Sequence, residues 1–506
     1  IVPHYVPVGG EFPEIRVRRV DKGQRMEDRY CPVIEDLYEK CISCSSGCSI
    51  TEGVPGAGAK ADGKLVVPMN SVDYGGFRTA YPEMDEKIAG IWVNGGLGIY
   101  NEFGDIELIQ GDDEVIDEIR RQAEEKGFDF VYTNLSHIGT TPFEESCPRS
   151  LTEMRSQPGL VGLFAGWVQE LNKHNAGSDY AVRTEITDLL IEDNQFRGMM
   201  DNVGNRYLAD FGVLATGRAG LERSLYEGHN VQVRNTNLGV GFRIEVPYES
   251  LEFFTDQLHE VKIYQRLRKG DVTSQERERI LKRSRKRIRK LEDKYPEDNE
   301  MISLQKMFLK AFERMEVVKT RDFCMCPDGV LTAENYSKPG ELPLLLANGF
   351  TYETSLERKD IYALGTKNTN FAVLNNFMFP NIPDIVHFTD GQPYYGPHQV
   401  LKDLMALAQR EHPGKLGIQT MDALERGEIN SPEEIYDNGL ITPTNPTHEL
   451  TNFERYVPAV MIETTLLFLE KMMTMDSVKL PEDYKRFVFF GGLEGKFTAE
   501  VPVLKD

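Results

Sequence analysis

The chain has 506 residues, of which 40% are hydrophobic and 27% are charged, an ordinary globular composition with room for two or three domains. Its net charge of -22 excludes a general nucleic-acid binder, which needs a basic surface to neutralise phosphates. The most apolar long stretch, Val457 to Met475, is interrupted by Glu463 and Glu470, so we expect a buried or amphipathic helix and no transmembrane segment.

The first residue is Ile, and Ile1 to Val20 carries Pro, Glu and Arg throughout, so no signal-peptide pattern is visible. An odd number of cysteines in a chain of this length is not a secreted disulfide framework. We therefore expect a protein of the reducing cytoplasm. The seven cysteines are Cys31, Cys41, Cys44, Cys48, Cys147, Cys324 and Cys326.

The first predicted strand, Ile15 to Val20, alternates apolar and basic residues and stops at the turn Asp21-Lys22-Gly23. A Cys-rich irregular segment follows. Gly53 to Gly63 then carries four glycines, and Leu65-Val66-Val67 predicts another strand.

Three glycine-rich segments imitate nucleotide-binding motifs. Gly58–Lys64 has P-loop spacing, but Leu65 stands where Ser or Thr should hold Mg²⁺, and Leu65–Pro68 cannot open a helix. Gly56–Ala61 matches G-x-G-x-x-A and fails in the same way, while Gly491–Gly495 has no helix after it. What remains is a run of small residues that lets the backbone approach a flat ligand closely.

The spacing Cys41-x-x-Cys44-x-x-x-Cys48, with Cys31 upstream, suits a four-thiolate zinc or iron–sulfur site, although it is irregular for either. We favour reduced structural cysteines near a ligand pocket and predict no metal. Cys324-Met325-Cys326 is too tight for a common metal knuckle. The pair lines a redox pocket or simply packs, and packing is the favoured interpretation.

The middle of the chain contains a clear amphipathic helix, Asp112 to Lys126, which Gly127 is placed to end. Phe128 to Thr133 alternates as a strand, and Thr141–Glu144 is a capping box that predicts a further helix. Between them, His137 either polarises a ligand carbonyl or phosphate or is a hydrogen-bonded structural histidine.

Tyr180 to Leu208 predicts a β-meander, with Ala181–Ile186 and Leu189–Glu192 as its first two strands. Phe211–Leu214 then reads as a buried strand that runs into Ala215-Thr216-Gly217, where an α/β sheet places ligands. Further on, Thr273–Glu276 is a capping box before a helix rich in Lys and Arg. That helix either binds an anionic partner or, as we favour, presents a solvated basic face on an acidic protein.

In chain order, these segments resemble the FAD-dependent dehydrogenases, especially the archaeal and deep-branching bacterial branch of that family. The match runs from about Ile15 to Val503, and the Gly-Ala-Gly-Ala…Asp-Gly-Lys-Leu and Phe-Cys-Met-Cys-Pro pieces are its most specific parts. The matching segments are Val20–Gly23, Arg29–Pro32, Gly56–Ala59, Asp62–Leu65, His137–Thr140, Leu214–Arg218, Gly241–Pro247, Phe323–Pro327 with Gly329, and Asn368–Ala372.

The resemblance implies FAD as the cofactor and assigns residues to it. Asp21 would bind the adenosine ribose, and the backbone of Ile186 would contact the adenine. The other cofactor-binding candidates are Gly56, Gly58, Asp62, Gly63 and Lys64 near the isoalloxazine end, and Ala215, Thr216 and Gly217 beside the cofactor. The candidates on the catalytic, substrate side are His137, Lys64, Cys324, Cys326, Asn368 and Asn370.

The chain also departs from the family pattern. Members of the family open with a strand–GxGxxG–helix unit, about 30 residues before the acidic strand end. They close with a Gly-Asp-Gly-Ala-Gly segment. This sequence contains neither of these two motifs. We expect a sequence trimmed from a longer flavoprotein; the alternative is a degenerate member that no longer binds FAD. Without a helix N-terminus for the pyrophosphate, the chain as written is expected not to bind FAD tightly alone.

The implied fold class is α/β, with a glutathione-reductase-like, Rossmann-type FAD-binding domain interleaved with an α+β substrate domain. The expected segments are 1–70 and 160–222 for the FAD-binding domain, 71–159 for a helical and αβ insertion, 223–450 for the substrate domain with a basic helical insertion at 271–295, and 451–506 for a helix and strand that return toward the FAD domain.

The sequence thus predicts a cytoplasmic flavin-dependent oxidoreductase that acts on a small-molecule substrate, with its electron partner unidentified. A nicotinamide site is not evident, because there is no second strand–GxGxxG–helix. One alternative is a non-enzymatic scaffold that interacts through the basic helix Arg277–Lys290. Another is a Cys-based metal or redox module. Homo-oligomer formation is left open.

Overall fold

The computed structural model describes residues 17–25, 28–33, 37–54, 56–57, 64–66, 111–132, 135–137, 178–214, 229, 232–234, 238–258, 260–270, 272–350, 366–377, 397–497 and 501–503. The strands are β1 Val17–Val20, β2 Lys64–Val66, β3 Asp129–Val131, β4 Leu135–His137, β5 Ser178–Ala181, β6 Ile186–Glu192, β7 Gln195–Asp201, β8 Arg206–Leu208, β9 Gln232–Arg234, β10 Leu238–Pro247, β11 Lys262–Arg268, β12 Val317–Cys326, β13 Val330–Asn335, β14 Leu345–Phe350, β15 Asn368–Phe377, β16 Leu416–Thr420, β17 His448–Leu450, β18 Phe489–Phe497 and β19 Val501–Val503.

The helices are α1 Asp113–Glu125, α2 Tyr248–Leu258, α3 Ser274–Lys294, α4 Asn299–Arg314, α5 Pro397–Glu411, α6 Met421–Arg426, α7 Pro432–Tyr436 and α8 Ala459–Met472, with short 3₁₀ turns at Phe453–Arg455 and Tyr484–Arg486. None of the helices in these ranges is long and apolar enough to cross a membrane.

An eight-stranded sheet in the order β17-β16-β18-β10-β15-β12-β11-β3 forms the centre of the described fold. Every residue of β10 is buried, and β10 pairs antiparallel with β15 on one side and β18 on the other. At the edge, β17 runs parallel to β16. The chain is therefore a mixed α/β protein with a mixed sheet, in which the side chains of the central strands are shielded from water.

The sheet joins distant parts of the chain. The edge strand β3 comes from the predicted insertion 71–159, and β18 comes from 451–506. The other six strands, β10, β11, β12, β15, β16 and β17, come from 223–450. Polar side chains that project from β10, β12 and β15 are consequently brought together over long sequence separations. The division into domains stays a prediction.

Helices α3, α4 and α8 pack together beside this sheet. Phe308 of α4 contacts Phe377 of β15 edge-to-face, with ring centroids 4.9 Å apart. Almost every residue of α8 is buried, as the sequence predicts for Val457 to Met475. The buried Glu463 is neutralised by Arg287 of α3, whose Nε lies 2.5 Å from Glu463 Oε1. A charged residue inside an apolar helix is thus explained by a partner on a neighbouring helix.

A separate parallel pair, β1 with β5, leads into the three-stranded antiparallel meander β6-β7-β8. The meander is confirmed, but its first predicted strand is wrong. Ala181–Ile186 is not continuous, because Arg183 adopts a φ of +53° and breaks the extended backbone after β5. Leu189–Glu192 forms the second half of β6, which already begins at Ile186.

The expected buried strand Phe211–Leu214 is also wrong. These four residues have no regular structure, Phe211 is 91% exposed and Val213 is 68% exposed. A short apolar run forms a buried strand only where a neighbouring strand covers it. Among the described residues, no strand pairs with this segment.

The structure confirms the predicted N-terminal cap of α1 but not that of α3. Asp112 caps α1 by accepting hydrogen bonds from the N–H groups of Glu114 and Val115, and Gly127 follows with a φ of +76°. Thr273 precedes α3 but does not cap it, since its hydroxyl accepts the Arg268 N–H at 2.7 Å instead. The predicted capping box is wrong because that oxygen serves the preceding turn.

Two of the three glycine-rich motifs lie on or next to described residues, and neither leads into a helix. Lys64–Val66, after the P-loop imitation, is the strand β2, as predicted. Gly491–Gly495 lies within the strand β18. These backbones offer no helix N-terminus to a phosphate.

Candidate functional site

Asp21 lies directly after β1, and its backbone N–H donates to the carbonyl of Ala181 at 2.9 Å, continuing the parallel ladder. Its carboxylate accepts the Gly23 N–H at 3.0 Å and the Arg19 guanidinium at 3.2 Å. The Asp21 side chain is 18% exposed. A carboxylate has about four acceptor positions, so this fixed group can still receive two neighbouring hydroxyls such as those of a ribose.

The turn after Asp21 packs backbone to backbone against the glycine-rich segment. A Cβ on Gly23 would lie 2.2 Å from the amide nitrogen of Gly53. Gly53 itself has a φ of +101°, and the neighbouring Val54 N–H donates to the carbonyl of Gln24 at 3.0 Å. The contact requires glycine on both sides, because any side chain would separate the acidic turn from the glycine segment.

Arg29 organises the same segment from inside, and sequence reasoning did not identify it as functional. The side chain is buried, and its guanidinium donates to the carbonyls of Ser49 at 2.6 Å and Gly56 at 2.7 Å. A third donation reaches Ile50 at 3.2 Å. Arg29 thus ties the end of the Cys-rich segment to the predicted cofactor loop. Its place at the start of the family-matching segment Arg29–Pro32 was the available signal.

The other predicted cofactor residues divide into two groups. Gly58, Asp62, Gly63, Ala215, Thr216 and Gly217 lie outside the described residues. Ile186 begins β6, and Lys64 and His137 occupy directly opposed positions in the antiparallel pair of β2 with β4. Residues 64 and 137, both proposed for the ligand side, are therefore neighbours across one ladder.

A second set of predicted residues meets inside the large sheet, around Arg243 of β10. Arg243 Nη2 lies 3.0 Å from Cys326 Sγ and 2.9 Å from the carbonyl oxygen of Cys324. Its Nε donates to Asn370 Oδ1 at 2.7 Å. Arg243, Cys326 and Asn370 are each 0% exposed. We call Arg243, Cys324, Cys326 and Asn370 the Arg243 cluster.

Burial disfavours the charge on Arg243, but Cys326, Cys324 and Glu494 outweigh this effect, and the pKa of Arg243 is raised above its usual value. Glu494 Oε2 lies 3.9 Å from Arg243 Nη1. The Arg243 cluster thus places a buried, positively charged guanidinium in contact with the Cys326 thiol.

The two thiols approach each other because β12 is irregular at this point. Alternate residues of a regular strand are about 6.8 Å apart along the strand axis. Here the pairing of β12 with β15 shifts between Phe323 and Cys326, and Cys324 adopts a φ of +53°. As a result, the sulfur atoms of Cys324 and Cys326 lie 3.8 Å apart. Cys324 is half-buried and Cys326 is buried.

Gly349 makes room for the Arg243 cluster. A Cβ at this position would lie 1.8 Å from Asn370 Oδ1 and 2.0 Å from Arg243 Nη2. The hairpin β13-β14 thus closes directly over the guanidinium and the amide. Sequence reasoning named Cys324, Cys326 and Asn370, but it missed Arg243 and Gly349, which lie on other strands.

Next to the Arg243 cluster, Glu245 is completely buried and accepts hydrogen bonds from Asn368 Nδ2 at 3.1 Å and from Thr444 Oγ1 at 2.5 Å. Burial raises the pKa of Glu245, and the bonds from Thr444 and Asn368 offset part of that rise. A carboxyl group with a raised pKa can hold a proton inside the protein. Asn368, predicted for the substrate side, serves here to orient Glu245.

The four N-terminal cysteines converge although their spacing is irregular. Cys31, Cys41, Cys44 and Cys48 line one cavity of about 30 Å³, and residues of β13 and of the segment 445–447 form its opposite wall. Burial raises the pKa of Cys41 to about 12, with further contributions from Cys48, Cys31 and Cys44. We call these four residues the cysteine cluster.

The sequence matches no family of known proteins and no curated protein. Among solved structures, the chain is similar to "Structure of Aquifex aeolicus GidA in the form II crystal", with 10% identity over 74% of this chain and 67% of that one. The TM-score of 0.18 is too low to support an argument about fold or function.

Proposed function

We propose that this chain is a flavin-dependent oxidoreductase in which Asp21 binds the adenosine ribose of FAD. The observation that carries the proposal is the local topology around this residue. Asp21 ends β1, β1 runs parallel to β5, and β5 leads into a three-stranded meander. A carboxylate at the end of a parallel strand is the usual ribose ligand of dinucleotide-binding sheets, and the family that the sequence resembles has its acidic residue here.

The described residues fit the adenosine part of the cofactor. The Asp21 carboxylate is held in place by Gly23 and Arg19 and retains acceptor capacity. The close backbone contact of Gly23 with Gly53 fixes the turn that carries Asp21. When bound, a flavin supplies hydride or electron transfer.

The Arg243 cluster and Glu245 are the candidates for the protein's own part in the reaction. In the Arg243 cluster, the guanidinium contacts the buried Cys326 thiol, and the half-buried Cys324 is its more accessible neighbour. Glu245, with its raised pKa, is suited to hold a proton nearby. The finer fold, a Rossmann-type FAD domain interleaved with a substrate domain, belongs to this proposal, as do the roles of His137, Lys64 and the residues at 215–217.

The alternative of a scaffold acting through the basic helix is not favoured by the contacts of α3. Arg277 donates to the backbone of Met315, Arg287 pairs with Glu463 and Glu454, and Arg279 pairs with Glu470. Several of the arginines that make α3 basic therefore attach it to its neighbours, which is a structural role.

Titration of the full-length protein with FAD tests the assignment of Asp21. In Asp21→Asn, the ribose loses a charged acceptor worth about 1.5–3 kcal/mol, so we expect the Kd for FAD to rise by about 10- to 150-fold. Asp193→Asn is the matched control, because Asp193 is exposed in the turn between β6 and β7 and its φ of +52° suits Asn. Equal FAD affinity in all three proteins would contradict the role of Asp21.

A further inference from the structure

We propose that Cys324 and Cys326 form a redox-active dithiol, which reduces a low-molecular-weight disulfide and is itself converted into an intramolecular disulfide. The inference concerns two residues of the Arg243 cluster, but it requires no flavin and goes beyond the proposed function. It rests on the contact between the two sulfur atoms, which lie 3.8 Å apart.

The backbone of β12 is bent where the two thiols meet. Cys324 has a φ of +53°, a conformation that residues other than glycine rarely adopt. At the same place, the pairing of β12 with β15 is interrupted between Phe323 and Cys326. Backbone strain of this kind persists only where the surrounding structure enforces it, and it is concentrated at functional sites. Packing alone does not require the distortion, because a regular strand also directs alternate side chains to one face.

The turn that follows the pair holds this bend in place. The Gly329 N–H donates to the carbonyl of Asn368 at 3.1 Å, and the Asp328 carboxylate accepts the Lys367 N–H at 2.8 Å. A Cβ on Gly329 would lie 2.7 Å from the carbonyl oxygen of Cys326. The turn therefore packs directly against Cys326 and is attached to the beginning of β15.

Arg243 fixes the two cysteines relative to each other. Its Nη2 atom donates to the carbonyl oxygen of Cys324 at 2.9 Å and lies 3.0 Å from Cys326 Sγ. One nitrogen atom thus contacts both residues, the first through its backbone and the second through its sulfur. Arg243 is therefore a positioning residue for this pair, since it holds the Cys326 sulfur beside Cys324.

The difference in burial sets the order of the reaction. Cys324 is half-buried, whereas Cys326 is 0% exposed, so a dissolved disulfide reaches Cys324 first. The Cys324 thiol loses its proton to solvent, and its sulfur attacks one sulfur of the substrate. A mixed disulfide forms at Cys324, the bond between the two substrate sulfurs breaks, and the first half of the substrate leaves and takes up a proton.

Cys326 completes the exchange. After losing its proton, its sulfur attacks the sulfur of Cys324, the bond between the two cysteines forms, and the second half of the substrate leaves and is protonated. Disulfide sulfurs are about 2 Å apart, so the two thiols have only a short distance left to close. Overall, two cysteine thiols are oxidised to one disulfide, and one substrate disulfide is reduced to two thiols.

Mass spectrometry of the full-length protein, incubated with oxidised glutathione and without added flavin, tests the proposal. The reaction is stopped with acid, the remaining thiols are alkylated, and the protein is digested with trypsin without reduction. Both cysteines are then found in one peptide, which begins at Asp322 and contains no other cysteine. In wild type, we expect this peptide to lose two hydrogen atoms and to escape alkylation, and we expect dithiothreitol to restore two alkylated thiols.

Variants of the two cysteines separate their roles. Cys326→Ser should stop after the first step and keep glutathione attached to Cys324, because no second thiol displaces it. In Cys324→Ser, the buried Cys326 should carry no glutathione. Cys44→Ser is the matched control, because it removes a thiol of the cysteine cluster and should form the disulfide between residues 324 and 326 at the wild-type level. Circular dichroism shows which variants are folded, and only those are compared.

Three results would overturn the proposal. Folded wild type could keep both thiols open to alkylation in excess oxidised glutathione, or it could carry glutathione at Cys324 or Cys326 without a bond between them. Folded Cys326→Ser could also show no glutathione at Cys324. Because the assay measures cysteine oxidation in the absence of added flavin, failure here leaves FAD binding untouched, and a protein that binds no FAD can still show the dithiol reaction.

Discussion

Two buried arginines of this protein are held by partners that lie far away in the sequence or in irregular backbone. Arg243 binds Cys326 and Asn370 from two other strands, and Arg29 binds the backbone carbonyls that follow the cysteine cluster. The sequence predicted Cys324, Cys326 and Asn370 because they stand in short motifs. It could not predict Arg243 as their partner, because residue 243 meets residue 370 only when β10 pairs with β15.

Asp322 on β12 provides a residue-scale test of this burial. It is 1% exposed, and its Oδ1 accepts the Ile263 N–H of β11 at 2.7 Å. Burial raises the pKa of Asp322 well above its usual value, although the bond from Ile263 acts in the opposite direction. Above about pH 4, the folded protein therefore binds more protons at this site than the unfolded chain, and stability falls as pH rises.

We expect Asp322→Asn to remove this dependence, because the amide oxygen can still accept the Ile263 N–H and carries no ionisable proton. Urea unfolding of wild type and variant between pH 4 and pH 8 measures it. The free energy of unfolding of wild type should decline relative to that of the variant as pH increases. Two curves that stay parallel over this range would show that Asp322 ionises as readily in the folded state as in the unfolded one.

At the scale of elements, prediction succeeded where the signal is local. The helix α1 was predicted together with its cap at Asp112, since both the apolar spacing and the capping residue lie within one short segment. Phe211–Leu214 failed, because burial of a short strand depends on a partner elsewhere in the chain. The basic helix α3 was predicted, and most of its Lys and Arg residues are exposed, as expected for a solvated face. Arg287 is an exception, because it pairs with Glu463 and Glu454.

Arg287 offers an element-scale prediction with a control on the same helix. Replacing it in Arg287→Met leaves the buried carboxylates of Glu463 and Glu454 without this cation, at an expected cost of about 3–5 kcal/mol in the free energy of unfolding. Arg289→Met, two positions later on the exposed face of α3, should change it by at most about 0.5 kcal/mol. Urea denaturation monitored by circular dichroism compares them, and similar losses in both variants would mean that Arg287 does not hold α3 to α8.

At the scale of the molecule, the order of the large sheet could not be predicted from the sequence. Its strands come from residues 129 to 497, and β18 lies next to β10, although about 240 residues separate them in the chain. The convergence of the cysteine cluster depends on the same long-range closure, because β13 and the segment 445–447 complete its cavity. Sequence spacing alone did not predict this convergence, because the residues that complete the cavity lie far along the chain from the cysteines.

The central claim is that the full-length protein is a flavoprotein. Its most direct test is to purify the protein, denature it, remove the polypeptide and measure the fluorescence of the released flavin against an FAD standard. If the full-length protein is a flavoprotein, the supernatant contains FAD, or the purified protein binds added FAD saturably. A folded protein that releases no flavin and does not bind added FAD would contradict it.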